Sequence, residues 1–500
     1  MSPSAGMAEL VPQLDSIEEV YTGASGSQSI APEHKIRWNT LISAFSNTYG
    51  GKPDFVARSP GRVNIIGEHV DYSLYNVLPM AVTVDALVAV KASTKDAPTV
   101  KIADLHPDRY PSSEFAIPLD GDIEIDPKKH EWTNYFKAGL RGALQFLRSN
   151  KAGPFRPASL EIIVDGNVPS GGGLSSSAAL VCASALAVMK ANEHDVSKQD
   201  LLDLAIVSER AVGVFAGGMD QAASIFSKRG YLLYCQFYPS FRAEHIPVPP
   251  SEPEIAFLIA QSFVTSDKAT TAPKHYNLRV VEVTLAALVL AKLHDAVLTP
   301  DDSSLGFSLR GFQEEYMKKS GGLGRPLEQQ VDAMIEVAEL KLTEHEGYTR
   351  DDISKILGIS VETLESEYMS KFPVQAETFQ LRQRALHVYQ EARRVLDFKR
   401  ILSHTDKLTH DILLNLGELM NETQASCRDI YDCSCPEINE ICRIARKAGT
   451  YGSRLTGLPA PYYPTQFKFE IMLTFMQALA GADVLSILSH RLRLKQSKRR

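Results

Sequence analysis

The sequence predicts an α+β chain of two domains, and three observations carry that reading. Strand-like alternation and helical apolar runs follow one another closely in the first half, as where Leu160–Val168 (LEIIVDGNV) precedes Ala178–Ala191 (AALVCASALAVMKA). A proline-rich connector at Ile246–Pro253 then separates this half from a second one. The second half opens with a strand, Glu254–Ser262, and reads as mostly helical and amphipathic over 300–400.

Five hundred residues supply ample chain for a buried core in each domain. The composition, 44% hydrophobic and 23% charged, is that of an ordinary soluble globular protein. A net charge of −7 lends no support to nucleic-acid binding. The N-terminus lacks the basic start and apolar stretch of a signal peptide, and no apolar run is long enough to span a membrane. The six cysteines match no common zinc spacing, so reduced thiols in a cytoplasmic protein are expected.

Residues 1–33 are polar and predict a flexible N-terminal arm. His34–Gly50 has helical spacing and stops at Gly50–Gly51. Asp54–Val82 opens as a strand, breaks at Pro60–Gly61, resumes with VNII and then packs charges into Gly67–Tyr72 (GEHVDY). Arg62, Glu68, His69 and Asp71 thus lie within ten positions, between apolar strand segments. Such groups are seldom buried unless paired or bound to a ligand. A solvated turn is one account. A polyol site is the sharper one, with carboxylates accepting hydroxyl hydrogen bonds and Arg62 facing developing negative charge.

Ala86–Thr94 and Thr99–Leu105 read as strands and Trp132–Ser149 as a helix. Next comes Pro169–Ala179, PSGGGLSSSAA. Strand, glycine turn, serines and helix form the layout of an anion cradle, in which glycines let the backbone approach and the helix N-terminus adds partial positive charge. The serines serve as helix caps or as ligands of a metal that bridges phosphates. Glycine-rich strand–helix turns also occur without a ligand, and the spacing is neither that of a P-loop nor GxGxxG.

Leu201–Phe226 reads as a helix that breaks at Gly217–Gly218 and restarts at Met219, so Asp220 stands at a helix start. Capping is the plain account of Asp220, and an exposed helix charge that of Glu209. Arg229–Phe237 reads as a strand. Thr271–Leu293 contains a long helix, Leu381–Phe398 another, and Leu408–Gly449 two more with a break at Cys435–Pro436.

Together these motifs resemble the galactokinase family of the GHMP kinase superfamily, in its fungal branch. Arg58–Val82 is similar to the family's sugar signature, Pro169–Ala179 to its phosphate loop and Gly217–Gln221 (GGMDQ) to its catalytic-aspartate segment. Tyr276–Glu282 and LGELMNETQASCRDIYDCSCPE also match, so the resemblance runs from about residue 35 to Gly457. It implies a GHMP kinase fold of two domains with the active site in the cleft between them. The domains would span 34–247 and 248–457, with a helical insertion at about 300–400. It also implies ATP-dependent phosphorylation of galactose at its C1 hydroxyl.

Carried over by position, Asp220 would accept the hydroxyl proton, and Arg62 would orient Asp220 and stabilise charge on the transferring group. Glu68, His69, Asp71, Gly217 and Tyr276 would complete the sugar site with these two. Pro169, Gly171, Gly172, Gly173, Leu174, Ser175, Ser176, Ser177 and Ala178 would cradle ATP. Ser176 or Ser177 and Glu209 would hold Mg²⁺. The resemblance leaves two rivals, a sensor that binds galactose and ATP and grips a repressor protein, and an N-acetylgalactosamine kinase. The complete serine–alanine stretch favours a kinase over the sensor.

The resemblance stops after Gly457. Gly449–Gly457 (GTYGSRLTG) begins like the superfamily's third motif, which continues Ala-Gly-Trp-Gly-Gly-Cys-Thr-Val-His-Leu-Val. Here the chain continues LPAPYYPTQFKFEIMLTFMQALAGADVLSILSH and ends in a basic run. A divergent C-terminus with a new role is the plain account. Read one base out of frame, however, Ala478–Ser489 can encode the missing motif with suitable codons. Leu458–Gln477 would then be a translated intron, opened by a GGT codon at Gly457 and closed by CAG at Gln477. On that reading 458–500 is an aberrant tail that packs poorly, and this chain is a weakened kinase.

Overall fold

A computed structural model describes residues 9–22, 31–126, 129, 131–150, 154–212, 217–252, 254–262, 276–370, 374–457 and 472–478. The chain divides into two compact units. The first gathers Met1–Arg62, Ala81–Val168 and Ser175–Arg229, and the second Val63–Met80, Pro169–Leu174 and Gly230–Arg500. This division differs from the predicted boundary at 247/248.

The strand pair β6 (Tyr231–Gln236) and β7 (Arg242–Pro247) belongs with the second unit. Its Cys235 exchanges backbone hydrogen bonds with Val77 of the sugar signature, at 3.2 and 3.0 Å. Backbone pairing, which proline content does not report, decides where that hairpin sits.

The first unit is built on β1 (Phe55–Ile66), β2 (Leu78–Ser93), β3 (Thr99–Asp104), β4 (Ser113–Ala116) and β5 (Ser159–Gly166), in the order β1-β2-β5-β3-β4. β5 runs antiparallel to β2 and parallel to β3. The helix Pro32–Tyr49 lays Trp38, Leu41 and Phe45 on Leu87, Ala89 and Ile163. Each such side chain contributes about 1.5–3 kcal/mol on burial. The expected break at Pro60–Gly61 does not occur, because β1 is the edge strand of this sheet and an edge tolerates proline. The helix Ser176–Ala191 packs with Thr133–Asn150 and Lys198–Arg210 through Ala138, Val181, Cys182 and Ala205.

The expectation of a flexible arm is corrected over residues 9–22. Ile17–Thr22 is helical, and Tyr21 donates to the buried Asp85 at 3.1 Å. Lys198 Nζ meets Glu9 at 2.8 Å, and Leu10 pairs with Ser197. A polar composition concealed these anchors because the partners lie far along the chain.

In the second unit, β8 (Ile255–Gln261), β11 (Gly452–Thr456) and β12 (Met472–Ala478) form a sheet in the order β11-β12-β8, antiparallel throughout. Of the tail after Gly457, only β12 lies among the described residues, and there the backbone pairs on both sides. The rest of the tail falls outside the described residues, and the expectation of poor packing with it. Short paired strands β9 (Tyr348–Thr349) and β10 (Thr378–Phe379) interrupt the helical insertion. The helices Tyr276–Leu293 and Leu381–Ser403 each bury a long apolar face, from Leu278 to Ala291 and from Leu381 to Leu402. Among the described residues no helix is long and apolar enough to cross a membrane.

Candidate functional site

The glycine loop takes the shape its sequence implies. Gly171 and Gly173 have φ of 70° and 73°, in the left-handed region. A Cβ on Gly173 would stand 2.6 Å from the Thr456 carbonyl oxygen, so no larger residue fits there. Leu174 is buried, and the helix Ser176–Ala191 begins immediately after Ser175. The expected serine cap is not made. Ser175 is itself left-handed, at φ 61° and ψ 48°, and its side chain caps nothing. Its Oγ is buried without a hydrogen-bond partner. An uncapped helix start beside an orphaned hydroxyl suits an incoming phosphate, since both need an acceptor oxygen. Ser176 and Ser177 are half-buried and Ala178 is buried.

Asp220 sits in the first turn of the helix Met219–Phe226, behind Gly218 at φ 105°. Arg62 reaches its Oδ1 through Nε at 2.7 Å and Nη2 at 2.6 Å. Arg62 is buried, whereas the Asp220 side chain keeps 20% of its exposure. The carboxylate is therefore oriented by a charged fork yet still accessible. Gly217 is half-buried just before this turn. Glu209 is a correction to the exposed-charge account: it is 1% exposed and accepts a hydrogen bond from Gln221 Nε2. Gln221 Oε1 remains buried without a partner. Among the described residues no three His, Cys, Asp or Glu side chains form a metal-binding cluster.

The remaining sugar-signature residues are collected in the second unit. Gly67 has φ 105°, and His69 adopts φ 61°, a left-handed conformation that costs a non-glycine residue about 1–2 kcal/mol. Glu68 is buried and meets Arg454 Nη2, Asn64 Nδ2 at 3.5 Å and the Gly457 N–H at 3.3 Å. His69 Nδ1 bonds to the Tyr72 hydroxyl at 3.1 Å, and its Nε2 is buried without a hydrogen-bond partner. Asp71 is buried two residues on. Tyr276 opens its helix with its ring 6.5 Å from that of His69 and 5.8 Å from that of Tyr72.

Burial lowers the His69 pKa, but the negative Cys433, Glu68 and Asp71 outweigh it and raise it. Burial likewise raises the Cys433 thiol, but hydrogen bonding with Cys427 and the charge of His69 bring it below its ordinary range. A buried donor or acceptor left open, amid carboxylates and phenols, is suited to a polyhydroxylated ligand.

Arg454, Cys433, Tyr431, whose hydroxyl bonds to that of Tyr72, and Glu391 and His387, which bond to the backbone of Gly67 and Glu68, were not singled out in the sequence. Arg454 carried a signal, being a lone charge in an apolar strand segment, SRLT, as Arg62 is in GRVNII. Glu391 and His387 carried none, because they read as ordinary polar residues of an amphipathic helix.

Comparison with known proteins bears on the family and the fold. The sequence profile described as the galactokinase galactose-binding signature matches residues 43–92. Those described as the GHMP kinases N-terminal domain and GHMP kinases C-terminal match 134–228 and 410–457. A galactokinase of Saccharomyces cerevisiae is 43% identical over 84% of this chain and 83% of its own length. One of Schizosaccharomyces pombe is 39% identical over 85% of each. A solved structure of Lactococcus lactis galactokinase complexed with galactose superposes with TM-score 0.62 at 21% identity, covering 88% of this chain and 90% of that one. At that identity the likeness bears on the fold.

Proposed function

The chain belongs to the galactokinase family of the GHMP kinases, and we propose that Asp220 is the base through which it passes the γ-phosphoryl group of ATP to the C1 hydroxyl of galactose. The observation that carries this reading is the Arg62–Asp220 pair, a carboxylate aimed by two guanidinium contacts while still open to solvent. In the transfer the C1 oxygen bonds to the γ-phosphorus as the bond to the ADP oxygen breaks, and the hydroxyl proton passes to Asp220. Such transfers need placement and charge stabilisation more than covalent chemistry. Arg62 orients the carboxylate and faces the charge that spreads over the phosphoryl oxygens.

Glu68, His69, Asp71, Gly217 and Tyr276 hold the sugar. The His69 Nε2, buried with no partner within hydrogen-bond distance, supports that role. Pro169–Ala178 cradles the nucleotide, with the Ser175 hydroxyl and the uncapped helix start toward its phosphates. Mg²⁺, when bound, neutralises phosphate charge. One buried carboxylate, Glu209, with a hydroxyl of Ser176 or Ser177 fits the few protein ligands this ion takes beside phosphates. The chain is expected to act in the cytoplasm.

The test is an assay of ADP release with galactose and, in parallel, N-acetylgalactosamine. Galactose 1-phosphate is identified by phosphorus NMR. Turnover of galactose that Asp220→Ala abolishes supports the assignment, and retained turnover in that variant refutes it.

We further infer that the segment after Gly457 is out of the family's frame and lowers turnover. The C-terminal profile match stops at Gly457, where the resemblance does. The apolar run MLTFMQA is strand-forming and takes the place between β8 and β11, but it carries no glycine loop. Transcript sequencing across Gly457 tests this, and a message continuous through Leu458–Gln477 with no shorter form would sink it.

A further inference from the structure

The turn Gly67–His69 poses a physical question. Two of its three residues are left-handed, and its backbone is buried. Buried peptide groups need partners, and left-handed backbone at a non-glycine residue needs something to hold it. The partners come from one helix, Leu381–Ser403. Glu391 Oε1 accepts the N–H groups of both Gly67, at 2.8 Å, and Glu68, at 3.0 Å. Two successive N–H groups turned onto one anionic oxygen form a nest. His387, one helical turn earlier, donates through Nε2 to the Glu68 carbonyl oxygen at 3.0 Å. Val395, one turn later, closes the row, because a Cβ on Gly67 would stand 3.1 Å from its Cγ2. His387, Glu391 and Val395 are four residues apart and share one helix face.

The row is itself braced. Glu391 Oε2 accepts from Arg394 Nε and from the Thr423 hydroxyl, each at 2.8 Å. The Glu68 carbonyl can only accept, so Nε2 is the protonated nitrogen, and the Ser426 hydroxyl donates to His387 Nδ1 at 2.8 Å. Burial lowers the His387 pKa to about 3, so it is neutral and holds that tautomer. Glu391 is 0% exposed. Four donors surround its two oxygens, and a buried charge persists when its acceptor sites are filled in this way. None of the three profile matches covers this helix.

We propose that Glu391 is a positioning residue for galactose: with His387 it holds the backbone of Gly67 and Glu68 in the one conformation that aims the Glu68 and His69 side chains at the sugar. The inference rests on the reading that those two side chains contact galactose. The charge matters beyond the shape, because bonds to an ionised acceptor are stronger than bonds to an amide oxygen. A loosened turn misplaces the recognition groups directly and reaches the nucleotide loop only through Gly457, so the larger loss should fall on the sugar.

The experiment is steady-state kinetics on the full chain, varying each substrate in turn. Glu391→Gln keeps the volume and one oxygen while removing the charge. It is expected to raise the galactose KM about tenfold, with the ATP KM and kcat within about threefold of the parent. Thr423→Val removes one bond to Glu391 and should raise the galactose KM about threefold, and Thr423→Ser, which keeps the hydroxyl, should restore it. Glu68→Gln serves as the direct probe of the sugar contact. An unchanged galactose KM in Glu391→Gln, with a raised one in Glu68→Gln, overturns the positioning role and leaves the site standing. Unchanged values in both overturn the site reading and this inference with it. Parallel rises in both KM values in Glu391→Gln show a merely structural part and overturn the proposal. Should Glu391→Gln not fold, the Thr423 pair decides: equal galactose KM values for Val and Ser overturn it.

Discussion

Asp220 and Glu68 are both carboxylates paired with an arginine, yet they are held very differently. Asp220 is met by Arg62 alone among the bonds described above, and keeps 20% of its side-chain exposure. Glu68 is 4% exposed and is met by a wholly buried Arg454, an asparagine and a backbone N–H. Its own backbone is further bonded to Glu391 and His387. On the roles proposed for them, the contrast follows from the two tasks. A base must reach its proton and give it up again, so it needs access and one firm orienting contact. A recognition group gains from being placed before its ligand arrives, because the ordering cost is then met in folding rather than in binding.

The largest expected effect breaks the accessible pair. Asp220→Ala should lower kcat by about a thousandfold or more while galactose affinity, read by calorimetry, changes by less than about threefold. A parallel loss of sugar affinity would erase the contrast. Next, Arg62→Lys keeps the charge but not the fork, and a fall of about a hundredfold in kcat is expected. A kcat within twofold of the parent would show that charge alone suffices.

The buried pair should respond in stability instead. Arg454→Met leaves Glu68 buried without its main partner and should destabilise the second unit by about 3 kcal/mol in urea unfolding. Unchanged unfolding there would mean Glu68 is held by the remaining bonds.

The most gradual effect is pH dependence, and both buried groups of the supporting helix act in the same direction. His387 is lowered by burial to about 3, so the unfolded chain takes up its proton first, near pH 6.5. Burial raises Glu391, but Arg394, His387 and Arg454 outweigh it and lower it to about 2. Its stabilisation is present above the unfolded carboxyl value and fades as pH falls toward 2. Stability should therefore decline on acidification from about pH 6.5, by up to about 1.4 kcal/mol per pH unit for His387. Urea titrations at stepped pH read this, and His387→Gln should flatten the upper part of the slope. A slope that His387→Gln leaves unchanged would assign the acid sensitivity elsewhere.

Much of this was readable in the chain because its signals are local. Gly50 ends the first long helix, as its left-handed φ of 75° requires. Gly171 and Gly173 turn the loop, and Asp220 starts its helix after Gly218. Charges crowded between apolar segments at Arg62–Asp71 pointed to a site because burying them unpaired is costly. What escaped was non-local. Residues 9–22 looked loose because their partners Asp85 and Ser197 lie far away in sequence. The strand break at Pro60 failed because edge position is a property of the sheet.

The sequence by itself determined the family and the order of strand, loop and helix, and it offered the residues proposed for the chemistry. These depend on residue type and on spacing along one stretch of backbone. Only the tertiary structure decided that Glu209 is buried against Gln221, that Ser175 caps nothing, and that Arg454 pairs with Glu68. It alone placed Glu391 under the sugar-signature turn, 324 residues from Gly67. Such pairings arise when distant polar groups are desolvated together and must satisfy one another, a demand that no local stretch of sequence records.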